Sequence, residues 1–221
     1  MKLYNYYRSS AAFRVRIALE IKGLKYEYIA IHLAKGEQLN AEFGEILPDQ
    51  IVPVLEIDGQ RLTQSMAIIE YLDETHPANP LLPADAVGRA QARALAQSVA
   101  CEIHPLNNLR VLKYLVKVLG VAEEAKNVWV RYWIRRGLDS FERQLQALDN
   151  ERASRKLETS TYCLGVTPTL ADLCLVPQIF NAKRFNVNLD GLPRTMAVFD
   201  LCMQQVPFQK AQPSSCPDFE S

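Results

Sequence analysis

Three prolines, Pro77, Pro80 and Pro83, divide this chain into two stretches with different hydrophobic periods. Each proline lacks an N–H donor and fixes its own φ, so neither a helix nor a central strand can run through all three. His76–Asp85 therefore reads as a linker. Before it, the pattern changes period every few residues. After it, every apolar pattern is helical.

In the first stretch, Met1–Tyr6 reads as a short strand and Ala11–Lys22 as a helix, with Val15, Ile17, Ala18 and Leu19 among its apolar positions and Gly23 as its stop. Tyr26–Ile31 alternates and suits a second strand, and Gln38–Ile46 is a short helix. Val52–Ile57 is a third strand, Asp58-Gly59 a two-residue hairpin turn, and Arg61–Thr63 the returning strand. Met66–Glu74 is then helical. The order βαβαββα needs a sheet with a parallel β-α-β start and an antiparallel hairpin end, which is the order of a thioredoxin-like domain. In the second stretch, Gly88–Leu119 carries Leu95, Val99, Ile103, Leu106, Leu109, Leu112 and Leu115 at spacings of three and four along one helix bent at Pro105. Glu123–Leu148 is a second long helix, Asn150–Thr161 a polar loop, and Leu170–Phe185 and Thr195–Gln205 complete the set. The fold class is α/β plus all-α: a thioredoxin-like domain over residues 1–80 and a helical bundle over 88–221.

Composition narrows the function. Lys plus Arg and Asp plus Glu both number 25, so the basic excess of an electrostatic nucleic-acid binder is missing. The start, MKLYNYYRSS, lacks the apolar core of a signal peptide, and no apolar run reaches the ~18 residues of a spanning helix. Five irregularly spaced cysteines (Cys101, Cys163, Cys174, Cys202 and Cys216) include no C-x-x-C pair. Neither a disulfide framework nor a zinc site is expected; reduced thiols in a cytoplasmic protein are.

Three short motifs carry the chemistry. At Arg8-Ser9-Ser10 two hydroxyls stand where a helix begins. A serine there can simply cap the helix. Alternatively, the positive end of the helix dipole and its unpaired N–H groups stabilise an anion such as a bound thiolate, with one serine donating to the sulfur. Val52-Pro53 opens a strand: it marks an edge or turn, or it is a cis pair that leaves backbone groups to a peptide ligand. Ser65, after Gln64, either caps the next helix or holds a carboxylate with that helix's amides.

Arg8-Ser9-Ser10, Arg14-Val15-Arg16-Ile17-Ala18-Leu19, Val52-Pro53, Gln64-Ser65 and Ala67-Ile68-Ile69-Glu70-Tyr71-Leu72 together resemble the zeta class of glutathione transferases, which includes maleylacetoacetate and bacterial maleylpyruvate isomerases. Ile103-His104-Pro105-Leu106-Asn107-Asn108, the run Thr169–Gln178, and Arg184-Phe185 extend the likeness over essentially the whole chain. The resemblance implies the glutathione transferase architecture, glutathione as cofactor, a homodimer, and a small unsaturated dicarboxylate as substrate. It implies that Ser9, with Ser10 beside it, faces the glutathione sulfur. Val52, before Pro53, would pair with the cysteinyl part, and Gln64 and Ser65 would hold the γ-glutamyl end. His104 and Asn108 would help close the site, although His104 reads equally well as a structural polar group.

Isomerisation would proceed by addition of a thiolate to a cis double bond, rotation, and loss of the thiolate. A substrate with carboxylates calls for arginines, and Arg8, Arg110 and Arg184 are the candidates. Arg14 and Arg16, on the first helix, read as structural or interfacial. The sequence departs from the family at Ala11, where a cysteine is usual, at Leu47-Pro48 and at Val166. Thr169-Leu170-Ala171-Asp172 has the form of a capping box, so Asp172 reads as structural. Two other readings stay open: a general glutathione transferase acting on electrophilic acids such as α-halo acids, and a non-catalytic binding protein on the same fold.

Overall fold

A computed structural model describes residues 1–46 and 49–220, apart from the side chains of Glu42 and Glu45; the departure at Leu47-Pro48 lies outside the described residues. Residues group into two compact units, Met1–Leu81 with Met203–Ser221, and Leu82–Cys202. The final segment therefore packs with the first unit, whereas a division at 1–80 and 88–221 leaves it with the helices.

In the first unit β1 (Lys2–Asn5), α1 (Ser10–Lys22) and β2 (Glu27–Ala30) form the parallel start, and β3 (Val54–Ile57) and β4 (Gln60–Thr63) the hairpin. The sheet order is β2-β1-β3-β4, with β1 parallel to β2 and antiparallel to β3. Asp58 and Gly59 both have positive φ, at 49° and 75°, as a tight two-residue hairpin demands. The expected Gln38–Ile46 helix is split into a 3₁₀ turn, Glu37–Leu39, and α2 (Ala41–Ile46). α3 (Ser65–Thr75) closes the unit, and α1 packs against α3 and against α9 (Val206–Ala211), which follows the second unit in the chain. Gly23 ends α1 in the left-handed conformation at φ 66°, its N–H returned to Glu20 O and Leu19 O.

In the second unit the expected helix Gly88–Leu119 is four pieces: α4 (Ala86–Gln97), a π-helical stretch Ser98–Ile103, a 3₁₀ stretch His104–Asn107, and α5 (Leu109–Lys117). Pro105 has no N–H to carry the helix forward, and the Asn108 side chain accepts from Arg110 N at 3.1 Å, starting α5 afresh. α6 (Glu123–Ser154) runs 32 residues, into the region read as a loop. That extension is charged, built of good helix formers, and braced by a Glu151–Arg155 pair one turn apart. α7 (Leu170–Arg184) and α8 (Pro193–Met203) complete the unit. Asp172 is structural as read: its carboxylate accepts from Thr169 N at 2.7 Å and from Cys163 N at 2.8 Å. Arg194 pins the loop beside it, donating to Asp149 at 2.8 Å and to the carbonyls of Ser160, Thr161 and Tyr162. None of the five cysteines is in a disulfide, and among the described residues no helix is long and apolar enough to cross a membrane.

Candidate functional site

The register of the sheet decides where the three motifs meet. Tyr4 pairs with Val54, and Val54 with Thr63. The end of β1, the start of β3 and the end of β4 are therefore side by side. Ser9-Ser10, Val52-Pro53 and Gln64-Ser65 follow or precede these positions by a few residues, so one end of the sheet carries all three.

Ser9 is the N-cap of α1, with φ −71° and ψ 113°, and its Oγ accepts from Ala12 N at 3.2 Å. Ser10 is the first helical residue; both serines are half-buried, and Arg8 before them is exposed. Capping does not exclude anion binding here, since the serine oxygen accepts from the helix while its proton remains available to donate. Burial and the neighbouring Tyr7 push Tyr6 up to about 12, so this phenol is a donor rather than a base at neutral pH. Burial likewise raises the Cys163, Cys202 and Cys216 thiols, and Ala11 brings none to the helix start, so a thiolate at this helix end has to come with a ligand.

The Val52–Pro53 bond is cis, as the sequence led us to expect, and Val52 lies just ahead of the ladder that begins at Val54. Gln64 caps α3 at φ 65° and ψ 114° with no side-chain hydrogen bond to the helix. Ser65, the first residue of α3, is buried and accepts from Arg14 Nη1 at 3.2 Å. Arg16, two residues along α1, ties the site loop together: Nη1 reaches Asn5 Oδ1 at 3.0 Å and Tyr6 O at 3.3 Å, Nη2 reaches Tyr7 O at 3.1 Å, and Nε reaches Ala211 O at 2.9 Å. Its structural reading holds.

A contribution the sequence did not signal comes from the chain's last residues. Asp218 accepts from Tyr7 N at 3.1 Å and from the Tyr28 hydroxyl, Phe219 stacks edge-on to Tyr7 at 5.5 Å, and Glu220 meets His32 at 3.1 Å and Lys35 at 2.8 Å. The loop leading to Ser9 is thus held from a point 211 residues away. No periodicity or motif in the tail foretells this.

The remaining candidates sit in the helical unit. His104 Nε2 and Asn108 Nδ2 are 3.4 Å apart, and Arg110 lies exposed in the first turn of α5. Arg184 donates to Asn181 Oδ1 at 2.9 Å and stacks over Phe185 at 4.9 Å. Asn181 in turn donates to Asn107 Oδ1 at 2.7 Å, and Asn107 to Ile103 O at 2.7 Å. A buried asparagine pair therefore joins Arg184 to the segment that carries His104 and Asn108. The sequence assigns neither member a role, because their separation of 74 residues leaves no local trace.

The first unit fits glutathione on its own geometry. It offers a helix N-terminus with a serine proton to spare for sulfur, a cis-proline edge for an extended peptide, and a buried serine backed by a guanidinium for a carboxylate. Residues 1–74 match the family model of the glutathione S-transferase N-terminal domain. The chain is 48% identical over 218 residues to maleylpyruvate isomerase of a Ralstonia species, covering 99% of each. It superposes with a TM-score of 0.93 on the holo structure of a maleylpyruvate isomerase described as a bacterial zeta-class glutathione transferase, at 47% identity over 100% of both chains. Against the maleylacetoacetate isomerase of Methylobacterium extorquens AM1, solved with malonate and glutathione bound, the TM-score is 0.90 at 36% identity, again over 100% of both. Sequence and fold agree over the full length, and the chain belongs to the zeta-class glutathione transferase family of maleylpyruvate and maleylacetoacetate isomerases.

Proposed function

We propose that this chain is a cytoplasmic, homodimeric, glutathione-dependent cis–trans isomerase of a small unsaturated keto dicarboxylate, maleylpyruvate or maleylacetoacetate. The observation that carries this reading is the Ser9-Ser10 junction at the N-terminus of α1, on the same sheet end as Val52-Pro53 and Ser65. In this reading residues 1–80 bind glutathione, and helices within 88–221 supply the substrate pocket.

When bound, glutathione supplies a thiolate whose addition to the double bond, and later departure, permits rotation about that bond. Ser9 donates its hydroxyl proton toward the sulfur, and the α1 N-terminus favours the anionic form by roughly 0.3–1 kcal/mol. Ser10 stands beside it at the same helix end. Val52 pairs its backbone with the cysteinyl part, and Gln64 and Ser65 hold the γ-glutamyl carboxylate. His104 and Asn108 are further contacts for glutathione. Arg8, Arg110 and Arg184 hold the carboxylates of the substrate, where a guanidinium can engage two oxygens at once.

The test is turnover of maleylpyruvate and of maleylacetoacetate, with and without glutathione, followed by loss of the enol absorbance. We expect glutathione-dependent conversion, reduced on the order of 100-fold in Ser9→Ala, and the rate ratio names the preferred substrate. Conversion of neither compound, with glutathione still bound, would sink the isomerase reading; activity on α-halo acids instead would make this a general transferase.

A further inference from the structure

α1 carries two buried arginines two residues apart, and they are treated very differently by the fold. Arg16 is 1% exposed and makes four hydrogen bonds. Arg14 is 2% exposed, yet among the described residues only its Nη1 has a hydrogen-bond partner, the Ser65 hydroxyl at 3.2 Å. Its Nε and Nη2 are buried without any hydrogen-bond partner, and it forms no ion pair among the described residues. A guanidinium does not shed its proton to escape such a place. Burying it without a counter-charge is strongly unfavourable, and buried cations are ordinarily paired.

The one hydrogen bond Arg14 makes among the described residues shows where the missing anion belongs. A guanidinium has no lone pair, so it is the Ser65 oxygen that accepts. The Ser65 proton then points to some other acceptor, and a hydroxyl polarised by a cation behind it is a better donor. Ser65 opens an 11-residue helix whose cap residue, Gln64, supplies no side-chain hydrogen bond. The positive helix end, the serine proton and the buried guanidinium charge therefore favour an anion at the same place.

We propose that Arg14 is a positioning residue for glutathione, fixing the Ser65 hydroxyl and biasing the α3 N-terminus toward the γ-glutamyl carboxylate. This rests on the reading of Ser65 as the site of that carboxylate. Arg14 acts through Ser65, and its uncompensated charge makes the ligand-free protein less stable than its packing would allow.

The experiment compares Arg14→Met, Arg14→Lys and Ser65→Ala with the parent. It uses calorimetric titration of S-methylglutathione, titration of the same compound amidated at its γ-glutamyl α-carboxylate, and thermal unfolding without ligand. For Arg14→Met we expect binding of S-methylglutathione to weaken roughly 10-fold or more, no further weakening toward the amide, and a melting temperature equal to or above the parent's. Arg14→Lys, which keeps the charge without the fork, should fall between the two. A lower melting temperature in Arg14→Met with binding unchanged would make the arginine merely structural and overturn the proposal, as would equal weakening toward both ligands. Ser65→Ala separates the two levels. If it binds S-methylglutathione like the parent, the reading of Ser65 fails and the proposal falls with it. If Ser65→Ala weakens binding and Arg14→Met does not, the Arg14 proposal alone is overturned.

Discussion

Four donors converge on the Glu142 carboxylate: Thr195 N at 2.8 Å, Thr195 Oγ1 at 2.7 Å, Arg194 N at 3.1 Å and Gln146 Nε2 at 2.8 Å. A residue of α6 thereby caps the start of α8. Burial, the largest single influence, pushes the carboxyl upward, but the donors together outweigh it and hold Glu142 below the ordinary carboxylate range. A folded-state pKa below the unfolded one means stability that is present above about pH 4.3 and is lost as pH falls through the folded value. We expect Glu142→Gln to lose about 2–4 kcal/mol at pH 7, with a gap from the parent that narrows below about pH 4. Urea unfolding at pH 7, 5 and 3 checks this, and a constant gap would refute it. At this scale the sequence was informative wherever a residue acts on its own neighbourhood. Ser9, Val52-Pro53, Ser65 and the Asp172 box are all turns and caps, whose logic is local. Arg14, Asn107 and Asn181 do their work across 51 to 74 residues, and nothing beside them in the sequence marks it.

Strand and helix types were legible up to the linker because period and turn chemistry agree there: alternation for β2, Asp-Gly for the hairpin, glycine after α1. The segment from Gly88 to Leu119 misled because α, π and 3₁₀ turns can all keep apolar residues on one face at spacings of three and four. What fixes the break is a neighbour. A Cβ on Gly137 of α6 would lie 2.3 Å from Ile103 Cγ1, so α6 approaches the π-helical stretch only because that side chain is missing. Gly137→Ala should cost about 1–3 kcal/mol by overpacking. In combination with Ile103→Ala the cost should fall short of the summed single losses by more than about 0.5 kcal/mol. Denaturant titration of the two singles and the double measures this directly; strict additivity would mean that the two helices do not meet through this pair.

For the whole molecule, the residues group into two compact units, and the chain first passes from one to the other between Leu81 and Leu82, inside the proline-rich stretch His76–Asp85. The ownership of the last segment was not legible, since no pattern in Met203–Ser221 sets it apart from the helices before it and its partners lie at the other end of the chain. Removing residues 217–221 takes away Asp218 and Glu220, hence the acceptor for Tyr7 N and the pairs with His32 and Lys35. We expect that truncation to lower the melting temperature by about 4–8 °C, the equivalent of about 2 kcal/mol in a protein of this size. An unchanged melting temperature would show that the tail merely rests on the loop.

That closure has a consequence for biosynthesis. The strands of the first unit emerge from the ribosome early, but α9 and the tail that complete it are made only after the second unit. At 5–20 residues per second, 221 residues take about 10–45 s. Through most of that time the nascent sheet and the face of α1 that will meet α9 wait uncovered, so the unit whose strands are synthesised first finishes folding only after the whole of the other unit has been made.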